Sequence, residues 1–265
     1  MLFTDDAVQS GSALVVPCGS MKKSLAWDSF EPKLVAHIKK FFPFDAALLG
    51  REGLTAVVRH AADRAITYGF QHGGHLCRFT NLTISLGGWF ESDPQLPWAE
   101  PILRSRSRKD PETKLRDLTQ ATYQYLDAVS GMNGLYFRNA LGRVRALKYD
   151  MLPSVSREPA KALETLFASI YPEKARAVRG THEVAVEIMR RRAARFKFTE
   201  GRTFTLFALL SFLLGAGFDR DPLFPWAARA LAARTASPDE TARALAKGGI
   251  DWLQRALRLL GAVRP

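Results

Sequence analysis

With two cysteines in 265 residues, Cys18 and Cys77, the chain has too few for a disulfide framework. The fold must therefore rest on a hydrophobic core, and it needs no oxidising compartment. Acidic side chains are also scarce, at 26 against 38 lysines and arginines, for a formal charge of +12. The shortage is local: residues 1–103 carry 9 basic and 10 acidic side chains, residues 104–265 carry 29 and 16. A one-sided excess of this kind bears on partners and solubility, not on fold. Strand-like alternation is nearly absent, which argues against a sheet. There is no P-loop, no H-E-x-x-H, no G-x-S-x-G and no G-x-G-x-x-G after a strand, so no cofactor is expected. The opening MLFTDDAVQSGSALVV has acids where a secretory signal has bases, so a cytoplasmic location is expected. A hydrophobic content of 47% with 11% aromatics excludes wholesale disorder.

What the sequence does contain is an internal copy. Residues 70–103 recur at 198–231 with a constant offset of 128 and 13 identities in 34 positions, against roughly 6 per cent identity by chance. The best block sets GGWFESDPQLPWA against GAGFDRDPLFPWA, pairing Asp93 with Asp221, Pro97 with Pro225 and Trp98 with Trp226. The copy extends upstream, where 33–43 faces 162–172 and Arg64-Ala65 matches Arg192-Ala193. It extends downstream as well, where 111–126 faces 238–253. One-residue slips between these blocks are what loops tolerate. The organisation expected is a weakly structured leader over 1–29, a first repeat over 30–130, a bridge over 131–157 and a second repeat over 158–265 with a closing helix.

Helix is the dominant local signal. Apolar residues at 34, 35, 38, 41 and 42 mark one face at the helical period before Pro43 stops the run. A second helix is expected over 52–70 with Gly69 as its cap, and a third over 74–88, with its twin over 202–216. The uncharged run 203–218 is short for a membrane span, and its aligned stretch would put Arg78 and Asn81 in lipid, so a buried helix is expected instead. Pro111 and Pro238 open the two closing helices. The fold class is all-α, a helical bundle of two tandem pseudo-repeats of about 100 residues.

The D-P-x-x-P-W-A corner has a physical reading. Asp93 and Asp221 each precede a proline, which enforces an extended or turn conformation, and each carboxylate is placed to accept from following amides. Pro97 and Pro225 reset the chain before a short helix. Trp98 and Trp226 are expected as buried plugs, Trp226 the more firmly because Leu223 and Phe224 surround it.

Sites for chemistry are few. His72, His75 and Cys77 have zinc-compatible types, but their twins are Glu200, Thr203 and Thr205 and no second ligand pair follows, so a polar helix start is the better account. Ser20-x-x-Lys23 lacks its companion motifs. Glu183, Glu187 and Arg191 read as surface ion pairs. Basic segments are more suggestive: 104–109, then Arg138, Arg145 and Lys148 near one helix face, then Arg190, Arg191, Arg192, Arg195 and Lys197. Such clusters suit a partner or nucleic-acid phosphates, with Phe196 placed to stack on a base.

Three elements carry a resemblance: Leu49-Gly50-Arg51-Glu52-Gly53, Arg64-Ala65 followed by Tyr68-Gly69, and Phe90 followed by Asp93-Pro94 and Leu96-Pro97-Trp98-Ala99. Together they resemble a family of small bacterial proteins encoded beside type VI secretion genes, over about residues 30–131 and less clearly in the second copy. The chain departs from the pattern at Arg51 and at Phe196-Lys197, which replace the Tyr-Gly ending. The resemblance carries no catalytic residue. It implies a non-enzymatic adaptor or chaperone-like protein for a secreted effector or spike component. An immunity protein and a nucleic-acid-binding protein are the alternatives.

Overall fold

The computed structural model describes residues 25–105, 110–155, 159–233 and 237–262. The Ser20–Lys23 string, Cys18 and residues 106–109 of the basic linker lie outside them. Among the described residues the chain is all-α, with an isolated bridge between Val155 and Gly201 as its β-pairing.

Helix α1 (Leu25–Phe41) begins earlier than expected. The boundary of the leader is therefore corrected, since residues 25–29 are helical and Trp27 is buried. Its indole donates to Glu31 Oε2 at 3.0 Å, and Arg59 of the next helix donates to the same carboxylate at 2.7 Å. Pro43 ends α1 but also starts α2 (Pro43–Thr67), because a missing amide donor costs nothing at a first helical turn. This helix runs back beyond the expected residue 52 through a kink at Gly50, whose φ is 69°. Next come α3 (Gly73–Leu86), the short α4 (Ala99–Arg104), α5 (Pro111–Ser130) and α6 (Leu135–Ala146). Then follow α7 (Pro159–Ile170), α8 (Pro172–Ala177), α9 (His182–Ala193), α10 (Gly201–Leu214), α11 (Pro225–Ala232) and α12 (Pro238–Ala262).

The uncharged run resolves into α10, a helix of 14 residues with Phe204, Phe207, Ala208 and Phe212 all buried. Such all-round burial marks the centre of a core. No helix among the described residues is long and apolar enough to cross a membrane. Phe79 of α3 meets Phe70 and Phe90 with ring centroids 5.8 and 5.2 Å apart; Phe207 of α10 meets Phe198 and Phe218 at 6.4 and 5.0 Å. Offset pairs at these distances add to simple area burial.

Backbone details recur with the sequence copy. The Phe70 amide donates to Ala65 O at 3.1 Å, and the Phe198 amide donates to Ala193 O at 3.1 Å. Arg64 pairs with Glu91, and Arg192, 128 residues on, pairs with Asp219. The closing helices cross over: α5 packs on α8, while α12 packs on α2. Tyr171 Oη, just before α8, donates to Val129 O of α5 at 2.6 Å, and Arg255 of α12 donates to Ala47 O of α2 at 3.1 Å.

The two aspartates of the corners do more than cap their own turns. Asp93 Oδ1 accepts from the Gln95 amide at 2.9 Å, as expected, while Oδ2 reaches across to the Ala216 amide at 2.8 Å. Asp221 Oδ1 accepts from the Leu223 amide at 2.9 Å, and its Oδ2 accepts from the Gly88 amide at 2.6 Å. Each carboxylate thus caps its own corner and closes the turn after the other central helix. The approach is so close that a Cβ on Gly88 would lie 2.5 Å from Asp221 Oδ1. At the same junction Trp89 lies over Gly217, where a Cβ would come within 2.7 Å of the Trp89 Cβ.

Burial of the two corner tryptophans is corrected. Trp98 and Trp226 are both half-buried, not plugs. Trp226 is the second residue of α11; its six-membered ring lies on Gly248 and Gly249 of α12, while other parts of the residue border an open groove.

Candidate functional site

The bridge between the two copies leaves several large apolar side chains uncovered. Gly131 ends α5 at a φ of 67°, and Gly134 takes the left-handed conformation before α6, so the chain turns sharply and α6 stands at the surface. Ala140 is the one buried residue of α6. Met132 is 84% exposed, Leu135 48% and Phe137 43%, with Tyr123, Tyr136 and Met151 also exposed nearby in sequence. Large apolar side chains exposed together in one short stretch of a folded chain point to an interaction surface.

Phe137 leads from that cluster into a groove holding a cavity of about 130 Å³. Three helices build its walls with the same spacing. Helix α6 contributes Phe137, Ala140, Leu141 and Val144; α10 contributes Leu206, Leu209, Leu210 and Leu213; α12 contributes Ala246, Gly249, Ile250 and Leu253. Each set follows the i, i+3, i+4, i+7 pattern that puts four side chains on one helical face. Leu147, Leu152, Leu214, Tyr149, Tyr171, Trp226 and Trp252 complete the lining, and Lys148 is its charged member.

The basic residues singled out from the sequence separate into two groups. Arg138 and Arg145 are exposed on α6, and Arg138 donates to Asn133 O. Lys148 lies two residues past the end of this helix in extended backbone, so it belongs to the groove and not to the helix face. Arg190, Arg191, Arg195 and Lys197 are exposed on α9 and the turn after it. Arg191 donates to Glu187 Oε1 at 2.8 Å and Arg190 lies 4.0 Å from the same carboxylate, so acid interleaves this face.

Arg192 leaves the set. Its guanidinium points inward to the buried Asp219, an anchor for the second corner. Phe196, the candidate for stacking on a base, is half-buried, with its ring 5.9 Å from Phe207 and 6.3 Å from Phe198. Both inward turns carry a sequence signal. Arg64, Glu91 and Tyr68 stand 128 residues before Arg192, Asp219 and Phe196, so opposite charges and paired aromatics repeat together.

The histidine cluster is a helix start with an ion pair. His72 and His75 lie edge to face at 5.3 Å, and His75 Nε2 is 3.6 Å from Glu112, which also receives Arg78. Burial lowers the His75 pKa, and burial pushes the Cys77 thiol up to about 11, away from thiolate chemistry. No group of three or more potential metal ligands converges among the described residues. The corner aspartates hold buried, hydrogen-bonded structural positions; Pro97 is exposed and Pro225 opens α11. Compared with family models, curated proteins and solved structures, the chain finds no match.

Proposed function

We propose that the chain is an adaptor or chaperone-like binding protein for a type VI secretion effector or spike component. The observation that carries the binding part of this reading is the uncovered apolar surface of the bridge, Met132, Leu135, Tyr136 and Phe137 beside an open groove. The secretion setting rests on the resemblance of the 49–99 motifs. Behind this surface we place a body of two tandem repeats. The reading is supported by the reciprocal hydrogen bonds of Asp93 and Asp221 and by the crossed packing of α5 on α8 and α12 on α2. An immunity protein uses a surface of the same kind and is distinguished by whether its partner is a toxin.

The test is affinity purification of the full chain from cells that carry its neighbouring genes. One stoichiometric protein partner encoded among those genes is the expected result. Recovery of ribosomal or DNA-associated material alone would overturn the reading in favour of nucleic-acid binding. That second reading draws on the exposed Arg190, Arg191, Arg195 and Lys197. It demands binding that weakens steeply with salt and is lost when these four become Glu.

A further inference from the structure

We propose that the groove between α6, α10 and α12 receives an amphipathic helix with an acidic outer face, supplied by the protein partner. The inference rests on the binding-protein reading above and adds which surface binds and what chemistry it takes.

The shape argument comes from the lining. A side chain set at i, i+3, i+4 and i+7 is the stripe a helix buries against another helix. Here α6, α10 and α12 each turn such a stripe toward one shared groove; Ala140, Leu206, Leu209 and Leu253 are buried at its floor, and Phe137, Leu141, Val144, Leu210, Leu213 and Ile250 remain partly open along it. Among the small wall residues Ala246 is only partly buried, while Ala140 is buried and Gly249 lies under the Trp226 ring. The 12 residues of α6 span roughly 18 Å at 1.5 Å per residue, enough to seat about three turns of a partner.

The charge argument comes from the rim. Residues 132–148 contain Arg138, Arg143, Arg145 and Lys148 and no Asp or Glu. Arg143 donates to Ile170 O at 3.1 Å and Arg138 to Asn133 O, bonds to neutral carbonyls that leave both charges in place, and all four basic residues stand exposed. At the far end the carboxylates that would oppose an acidic partner are already engaged: Asp150 and Asp239 both receive Arg243, and Asp239 also receives Tyr149 Oη at 2.6 Å. The α6 side of the groove is therefore positive, since residues 132–148 carry four basic side chains and no acid. Complementarity of this type sets partner choice and arrival rate more than final affinity.

The experiment uses the full chain and two labelled 16-residue peptides with the same leucine stripe, one with Glu on its outer face and one with Lys. Fluorescence anisotropy should show the Glu peptide binding at least tenfold more tightly at low salt, with the gap narrowing as salt rises. Phe137→Asp should weaken the Glu peptide at least tenfold, and the combined Arg138→Glu, Arg145→Glu and Lys148→Glu variant should favour the Lys peptide. These positions are exposed, so unchanged thermal melts certify the fold. Equal binding of both peptides, binding untouched by the variants, or no binding overturns the proposal. A self-association that Phe137→Asp abolishes also overturns it, since the occupant would be a second copy. If wild type and Phe137→Asp retain the same stoichiometric partner from cells, the groove assignment falls while the binding-protein reading stands.

Discussion

The two corners, 87–99 and 215–227, share one backbone plan and differ in what surrounds it. Asp93 has the buried Lys174 as a countercharge. Burial lowers that ammonium to about 8 and the attraction of Asp93 acts against the shift. Asp221 has the carboxylates of Glu91 and Asp219 as electrostatic neighbours, and burial pushes it up to about 6 despite the amides of Leu223 and Gly88. The position facing Trp89 at the junction is Gly217, although 217 is also the position that matches residue 89 at the offset of 128. Two tryptophans would collide there, so one side kept the bulk and the other kept the space. Equal geometry with unequal electrostatics means that equal mutations should have unequal costs.

The largest difference is expected between Asp93→Ala and Asp221→Ala. Each variant strands two amide donors, but Asp93→Ala also removes the countercharge of a buried lysine. We expect losses of about 4 kcal/mol for Asp93→Ala and about 2 kcal/mol for Asp221→Ala in denaturant titrations. Equal losses would mean that Lys174 is not coupled to its corner.

Trp98→Ala and Trp226→Ala come next. A fully buried tryptophan costs about 3–5 kcal/mol on truncation, and half-burial reduces that to about 2 kcal/mol. Thermal melts check the stability cost, and the peptide assay adds a separate readout. Trp226→Ala should loosen the Glu peptide, because Trp226 lines the groove, while Trp98→Ala should not.

The pH dependence sharpens the electrostatic contrast. The folded-state pKa of Asp221, about 6, lies above its ordinary value of 3.8. The folded state therefore holds this proton more tightly than the unfolded chain. Its favourable contribution is complete below pH 3.8 and is lost as pH rises through about 6. Wild type should accordingly gain stability relative to Asp221→Asn as pH falls from 7 to 4. A constant difference across that window would place the carboxylate in a better solvated setting than its burial indicates.

The smallest effect concerns the turn after α2 and its counterpart after α9. Gly69 holds a φ of 85° in the first copy, whereas Lys197 holds 61° in the second. The left-handed conformation costs a non-glycine residue about 1–2 kcal/mol, and glycine gives back part of that in unfolded-chain entropy. Lys197→Gly should stabilise by about 0.5–1 kcal/mol, while Gly69→Ala should destabilise by a similar amount.

Much of this was legible in the chain itself. Pro43 marked a helix end, Pro111 and Pro238 marked helix starts, Gly69 marked a helix cap, and the period of 33–43 marked the apolar face of α1; that Pro43 also opens α2 was not read. These signals are local, so a single segment contains them. The local half of each aspartate was legible too, because an Asp before Pro favours an accepting turn. Its second hydrogen bond was not, since the offset of 128 pairs equivalent residues and does not state which residues touch. For the same reason Arg192 was grouped with Arg190 and Arg191: three consecutive arginines look alike until the helix turns one of them inward toward Asp219. The groove was invisible because its three walls come from stretches separated by some 70 and 40 residues in sequence.

The crossed carboxylates also have a consequence for how the chain comes into being. A growing polypeptide that has emerged only as far as α5 carries Asp93 with no Ala216 amide to receive and Gly88 with no Asp221 to answer it. α5 has no α8 to rest on, and α2 has no α12. The first half leaves the ribosome with its seams open: α8 arrives in the third quarter of the chain, and the Ala216 amide, Asp221 and α12 only in the last. Contacts between such distant residues close slowly, because loop entropy must be spent before they return anything. A chain truncated near residue 215 should therefore remain an open, association-prone intermediate despite holding ten of its twelve described helices nearly complete.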